Sequence, residues 1–417
     1  MNSEQKRWRS FIIALFILLF GGFLYAWSVV TLPLEQKYGW SSSSISLAYT
    51  LNFLVTALVT LFGGKLKSRM GIRRTVLAGG IFTGAGLVLC SMMRGQIWEL
   101  YLGFSVLYGI GVAFISPALV SYCVQLLPGR SGLAGGASSG AFALGALIWA
   151  PAATKILAWK GDVSASFLYL GILMMAPIVI LSFFLMEVSA NPQAEQEEEK
   201  KPAAQGGLLC MGRGEMLRTG AFYAIAVTFV LGLACGAMVM SYGAPILKIT
   251  FPEVTDETTA LLVGVFSIMS AVGRMFWGTL SDKLGKLKTL LLLCVATGVS
   301  MAVLILVSSL PLYIAMLVLA TLCYGGFACI VGPLTSEVFG PEHFDENYSA
   351  IYLVYTIASL IGPVMISAVQ EATGALSGAF VAGLGFCAAG ALLCAGLLRW
   401  AKGKRAKAQQ HETTSKT

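Results

Sequence analysis

Apolar residues along this chain neither alternate nor keep to a narrow helical stripe; they run on for twenty positions or more, break at short polar clusters, and resume. A run of about 20 apolar residues is what an α-helix needs to cross a bilayer. Lipid offers the backbone no hydrogen bonds, so such a run must satisfy its own amides and be helical. Twelve spans are expected, with approximate cores at 10–30, 45–66, 75–94, 98–125, 132–157, 164–186, 221–248, 259–281, 289–309, 311–333, 347–370 and 376–399. The first is too long for a signal-peptide core and precedes no small-residue cleavage site, so it is read as part of the mature chain.

The polar stretch 187–219 holds Glu195, Glu197, Glu198, Glu199, Lys200 and Lys201 between Pro192 and Pro202, and leaves six spans on either side. The two sides repeat. Gly64, Arg69 and Gly71 match Gly278, Lys283 and Gly285 at an offset of 214; Tyr108, Gly109 and Pro117 match Tyr324, Gly325 and Pro333 at 216; Pro33 matches Pro245 at 212. Nearly equal offsets point to parallel six-helix repeats, an arrangement found in secondary transporters. The expected architecture is an all-α integral membrane protein of two pseudo-symmetric bundles, 1–186 and 220–400, joined by a cytoplasmic linker 187–219 and followed by a basic cytoplasmic tail 401–417.

Composition sharpens this picture. Hydrophobic residues make up 57% of the chain and charged residues 12%, against about a quarter charged in soluble domains, which excludes a soluble globular enzyme. The net charge of +8 follows from topology: 22 Lys and Arg fall on the side that holds both termini and the linker, and five (Lys37, Arg94, Lys155, Lys160, Lys248) on the other. Both termini are therefore expected in the cytoplasm, in the inner membrane of a bacterium or archaeon, and no nucleic-acid partner is expected. Arg399, Lys402, Lys404, Arg405 and Lys407 read as an anchor to anionic lipid. Nine scattered cysteines without a C-x-x-C spacing read as small buried residues, and with only His343 and His411 available no metal site and no cofactor are expected.

Within the spans one ionisable side chain stands well away from a helix end, Arg274, eight residues before Asp282. Eight residues are roughly 12 Å of helix, too far for snorkelling to bring the charge to water. Guanidinium does not deprotonate to escape, and its insertion costs at least ~2.5 kcal/mol. No Asp or Glu lies at comparable depth, so the expected partner is an anionic ligand, for which the arginine fork suits a carboxylate. The opposing reading is a structural arginine satisfied by carbonyls or water. Tyr25, Trp27, Tyr122, Tyr324, Tyr352 and Tyr355 are candidates to line such a site, offering polar tips on apolar rings; ordinary packing or an interfacial belt explains each of them equally well alone. Glycine and proline at Ser116-Pro117, Pro151, Gly243-Ala244-Pro245, Gly332-Pro333 and Gly362-Pro363 suit helices that bend. Gly132, Gly136 and Gly140 at four-residue spacing signal close helix packing.

Gly278-Thr-Leu-Ser-Asp282-Lys283-Leu-Gly285, followed by Lys286 and Lys288, resembles the signature loop of the major facilitator superfamily, and Gly64 to Arg74, with Arg69, Gly71 and Arg73, resembles its first-half copy. These residues are expected to serve gating. Ser68 stands where the resemblance implies an acidic residue, so the resemblance does not carry the loop's charge-relay or latch role over to the first half. A narrower resemblance, to the oxalate:formate antiporter and monocarboxylate transporter families, rests on Leu24-Tyr25-Ala-Trp27, on Gly214 to Thr219, on Gly273-Arg274-Met-Phe-Trp277-Gly278, on Ser336-Glu337-Val-Phe339-Gly340 and on Asn347-Tyr348. It implies that Arg274 binds substrate. The oxalate exchanger carries a lysine in its eleventh helix where this sequence has Tyr355, and a single buried positive charge is the count for a monoanion.

The expectation is a secondary transporter that moves a small monocarboxylate of the lactate, pyruvate or formate type by alternating access, as a monomer, with a proton or a second anion as coupling partner and the bilayer as its other partner. Asp256 and Glu257, at the entrance of the eighth span, read as solvated helix-start residues rather than proton carriers. The alternatives are an oxalate or dicarboxylate:formate antiporter, and a facilitator-type exporter of other solutes in which Arg274 is structural. No nucleophile–base pair or metal set suggests an enzyme.

Overall fold

The computed structural model describes residues 3–187, 208–373 and 375–415. The acidic and basic run of the linker, 195–201, lies outside the described residues, as do the side chains of residues 63–68, Asp256, Glu257, Arg405, Lys407 and His411.

Among the described residues the regular elements are helical: α1 (Ser3–Gly21), a 3₁₀ turn (Gly22–Ala26), α2 (Ser28–Tyr38), α3 (Ser42–Ser91), α4 (Ile97–Leu100), a π-helical segment (Tyr101–Tyr108), α5 (Gly109–Leu126), α6 (Ser131–Lys160) and α7 (Val163–Ser182), then α8 (Arg213–Met216), α9 (Gly220–Thr250), α10 (Asp256–Leu284), α11 (Lys286–Leu306), α12 (Leu310–Phe339), α13 (Phe344–Thr373) and α14 (Ser377–Ser415). Among the described residues ten helices are long and apolar enough to span a membrane. The other two expected spans are helical as well: the second is the apolar stretch Leu47–Phe62 within α3, and the eighth is α10, which carries Arg274. Within α3 the second and third spans are two helices that meet at a kink, where a single residue, Gly71, leaves helical geometry at φ +79° and ψ 165°. A side chain there would be strained.

Local chemistry sets the helix starts. Ser41, Thr219 and Thr255 accept hydrogen bonds from the backbone N–H three residues on, at 3.2–3.3 Å, which satisfies amides that the first turn leaves open. Glycines in positive φ follow the ends at Gly39, Gly285 and Gly340. The prolines Pro117, Pro151, Pro245, Pro333 and Pro363 all lie inside helices without ending them. The first span departs from a single helix, since Gly22–Ala26 tightens into a 3₁₀ turn before α2 begins.

The chain forms two compact units, Met1–Pro128 with Ala137–Ala203, and Gly129–Gly136 with Ala204–Thr417. In the first, α3 packs on α5, α7 and the π segment, and α1 on α5 and α7. In the second, α10 packs on α12, α9 on α13 and α14, and α11 on α12 and α14. Its core gathers Met238, Phe266, Met301, Tyr313, Phe380 and the thiols of Cys235 and Cys387. None of the nine cysteines is in a disulfide and eight are buried; Cys210, within the linker, is exposed, which corrects the reading of all nine as buried. Its segment is tied down by the backbone N–H groups of Leu208 and Leu209, which donate to the carbonyls of Glu337 and Val338 at 3.1 and 2.8 Å, and by Asn347, whose side chain donates to the Met211 carbonyl at 2.9 Å.

Candidate functional site

The helix that carries Arg274 is seated on backbone rather than on side chains. A Cβ placed on Gly273 of α10 would lie 2.1 Å from the Leu322 carbonyl oxygen of α12, and one on Gly325 of α12 would lie 2.0 Å from the Ser270 oxygen of α10. A second flank of α10 meets the first turns of α6, where a Cβ on Gly136 would come within 2.3 Å of the Arg274 carbonyl and one on Gly132 within 2.1 Å of that of Gly278. Both approaches require glycine. The four-residue glycine spacing read in the sequence thus packs against the arginine's own helix at Gly132 and Gly136. Arg274 itself is 3% exposed, so its charge sits in a low dielectric where any anion that reaches it is held strongly.

Tyr324 of α12 is half-buried, with its backbone and Cβ against Gly236 of α9. On α13, Tyr352 and Tyr355 are half-buried and adjacent, ring centroids 5.6 Å apart, as their three-residue spacing predicts. They end a row that the sequence did not reveal: Phe344, Tyr348 and Tyr352 follow each other at 5.6 and 5.8 Å.

In the first unit, Tyr25 and Trp27 sit at the 3₁₀ turn. Tyr25 meets the edge of Phe142 at 5.7 Å, and Trp27, 5% exposed, stacks on Phe104 at 3.7 Å. Phe104 belongs to the π segment, so the two irregular turns of this unit meet through their rings. Asn52 of α3, fully buried, donates from its side chain to the Phe104 carbonyl at 2.8 Å. Tyr122 is placed apart from this cluster: its hydroxyl bonds Ser10 at 2.6 Å and the Met186 carbonyl at 2.7 Å, which ties α1 to the end of α7.

The signature loops place Gly71 at φ +79° and Gly285 at φ +91°. Behind Gly285, the Asp282 carboxylate pairs with Lys286 and accepts the N–H groups of Gly132 and Leu133 at 2.8 and 2.9 Å, a negative charge at the N-terminus of α6. Glu337 accepts from the Lys286 amide at 3.1 Å. Behind Gly71, Glu187 accepts from the amides of Ile72 and Arg73 at 2.9 and 3.1 Å, and the Arg73 guanidinium donates to the Leu185 carbonyl. Lys283, Arg69 and Lys288 are exposed, and the surroundings of Gly64 and Ser68 lie outside the described residues. Sequence reading missed Glu187 and Asn52. Glu187 looked like the first residue of the linker, and Asn52 carries no charge to mark it.

Two bundles of membrane-spanning helices, a buried cation on one of the spans, glycine-seated helix contacts and positive-φ glycines between spans define a multi-pass transport protein. The family model described as Major Facilitator Superfamily matches residues 11–363 and 231–416. The chain belongs to that superfamily, and it is a transporter of small molecules rather than an enzyme. The oxalate:formate antiporter of Oxalobacter formigenes is 25% identical over 372 residues, covering 86% of this chain and 83% of that protein. Monocarboxylate transporter 12 of Homo sapiens is 22% identical, covering 78% and 67%. The solved structure of a proton:xylose symporter bound to 6-bromo-6-deoxy-D-glucose matches with a TM-score of 0.74 at 13% identity, over 96% of this chain and 97% of that one, a likeness of fold.

Proposed function

We propose that this transporter carries a small monocarboxylate, of the lactate, pyruvate or formate type, across the cytoplasmic membrane by alternating access. The two halves 1–186 and 220–400 act as the moving bodies, with both termini and the linker 187–219 in the cytoplasm. The observation that carries the reading is Arg274: a guanidinium 3% exposed, mid-span, on a helix fixed by glycine contacts on two flanks. An arginine so placed presents two parallel donors to a carboxylate. The two relatives, an oxalate:formate antiporter and a monocarboxylate transporter by name, support small organic anions as cargo. Tyr355 at the position where the family resemblance implies lysine supports a single negative charge. Tyr25, Trp27, Tyr324, Tyr352 and Tyr355 line the path of the acid, while Tyr122 holds helix ends together.

An empty site with a buried guanidinium is costly to reorient, which favours exchange of one anion for another over net movement. The test is uptake of labelled lactate into proteoliposomes, with an acid-outside gradient or with pyruvate or formate preloaded, comparing the protein with Arg274→Gln and Arg274→Lys. Gln keeps one neutral donor and loses one charge-assisted bond of the fork, worth about 1.5–3 kcal/mol, so it lowers uptake by a factor on the order of tenfold to a hundredfold. Lys, a point charge without the planar fork, recovers part of it. Uptake unchanged in Arg274→Gln makes the arginine structural and overturns the reading.

A further inference from the structure

Away from its glycine seats, α10 carries a groove of about 370 Å³ lined, among the described residues, by Met275, Phe276, Thr279, Leu280 and Lys283. At 3.6 residues per turn these five fall within an arc of about 140°, and Gly273, Arg274, Trp277 and Gly278 lie outside it. Met275 and Phe276 are half exposed. The hydroxyl of Thr279 is spent on its own helix, donating to the Met275 carbonyl at 2.8 Å. The groove is therefore apolar until it reaches Lys283, in the last turn of α10, roughly 12 Å along the axis from Met275. Lys283 is exposed, and among the described residues no carboxylate pairs with it. Its neighbour Asp282 has both oxygens engaged, by Lys286 and by the amides of Gly132 and Leu133.

We infer that this groove holds one anionic phospholipid, with an acyl chain along Met275, Phe276 and Leu280 and a phosphate oxygen accepting from Lys283 Nζ. An ammonium at the end of a span stands at headgroup depth, where positive side chains attract negatively charged lipid. Joined to an apolar furrow that leads from it into the hydrocarbon, Lys283 matches both parts of such a molecule. A zwitterionic lipid fills the furrow equally well but brings a second positive charge beside the lysine. A soluble anion gains nothing from the furrow, and an exposed ion pair by itself contributes little. Chain and charge thus select the occupant together, whatever acid the transporter carries.

The experiment is native mass spectrometry of the full-length protein in detergent, titrated with phosphatidylglycerol and with phosphatidylcholine of the same chains. The wild type binds its first phosphatidylglycerol more tightly than its first phosphatidylcholine. Lys283→Gln weakens phosphatidylglycerol by about fivefold, the worth of one lysine at a membrane surface, and leaves phosphatidylcholine unchanged. Thr279→Trp, which lays a ring across the groove from an exposed position, weakens both lipids. Lys288→Gln removes the same charge from an exposed lysine outside the groove and keeps the preference. Equal losses in the two lysine variants reduce the effect to diffuse surface charge and overturn the site. A wild type without preference, or a preference that survives Lys283→Gln, overturns it as well. Displacement of the bound lipid by glycerol phosphate at similar concentration shows that the chain plays no part, and also overturns it.

Discussion

Lys37 and Asp162 show how a single pair fixes two helix ends in the first unit. Their side chains meet at 2.5 Å, with Ser164 accepting a second bond from Lys37 at 2.8 Å and its amide capped by Asp162 at 3.0 Å. Burial opposes the charged form of both, but the mutual hydrogen bond and charge outweigh it, so Asp162 is held below its ordinary 3.8 and Lys37 above its ordinary 10.5. The signs follow. The stability contributed by Asp162 is full above 3.8 and is lost as the pH falls through its depressed value, and that of Lys37 is full below 10.5 and is lost as the pH rises through its raised value. Both side chains are more than a third exposed, which limits the pair to at most about 1 kcal/mol. Asp162→Asn is therefore expected to lower the melting temperature in detergent at neutral pH, and the difference from wild type is expected to vanish in strong acid; a difference that persists there would assign the effect to the cap alone. Arg274 was the residue most legible in the sequence, since a lone cation in an apolar run stands out by charge. Neutral groups such as Asn52 and Tyr122 differ from their neighbours only in what they touch, and no pattern of residue types reports that.

At the scale of elements, close helix contacts make glycine-to-alanine substitutions diverge in sign. Gly325→Ala drives a methyl against the Ser270 carbonyl, 2.0 Å from the Cβ position. It is expected to cost about 1–3 kcal/mol as α10 and α12 are forced apart, and to impair uptake through Arg274. Gly264, on α10 with nothing within 4 Å of its Cβ position, gains helix propensity of roughly 1 kcal/mol as alanine. Thermal melting of both variants in detergent checks the pair, and equal shifts would show that α10 is not seated as described. Apart from the first and fourth, the expected segments lie on single α-helical stretches to within a few residues at their ends, because length and apolarity alone define a span. The 3₁₀ turn at Gly22–Ala26 and the π segment at Tyr101–Tyr108 were not legible. Each changes the hydrogen-bond register by one residue and leaves the hydropathy of the run unaltered.

At the scale of the whole chain, the repeat is kept in backbone shape and departs in chemistry. Gly71 and Gly285 turn alike, yet the amides after Gly71 are capped by Glu187 beyond α7, and the amide after Gly285 by Glu337 at the end of α12. Each acid behaves as a helix cap worth about 1 kcal/mol. Glu187→Gln and Glu337→Gln are each expected to lower the melting temperature modestly, and the double variant by the sum, since additivity holds for sites without shared partners; a strongly non-additive melt would show that the two caps communicate. The repeat itself was legible because glycine and proline punctuate both halves at matched intervals. The swap of capping helix was not, since it depends on which distant carboxylate folds back. The offset of 214 that aligns the loops sets Thr60 opposite Arg274, and Thr60 spends its hydroxyl on the Thr56 carbonyl at 2.6 Å, so the repeat carries its mid-span charge in the second half alone. The glycine contacts of α10 bear on how this protein can change. A helix pressed backbone to backbone on two flanks cannot be shifted by exchanging side chains there without losing its seat, so a laboratory selection for altered cargo is expected to leave Gly132, Gly136, Gly273 and Gly325 in place and to accumulate its substitutions among the aromatic residues, where the lineage still has room to drift.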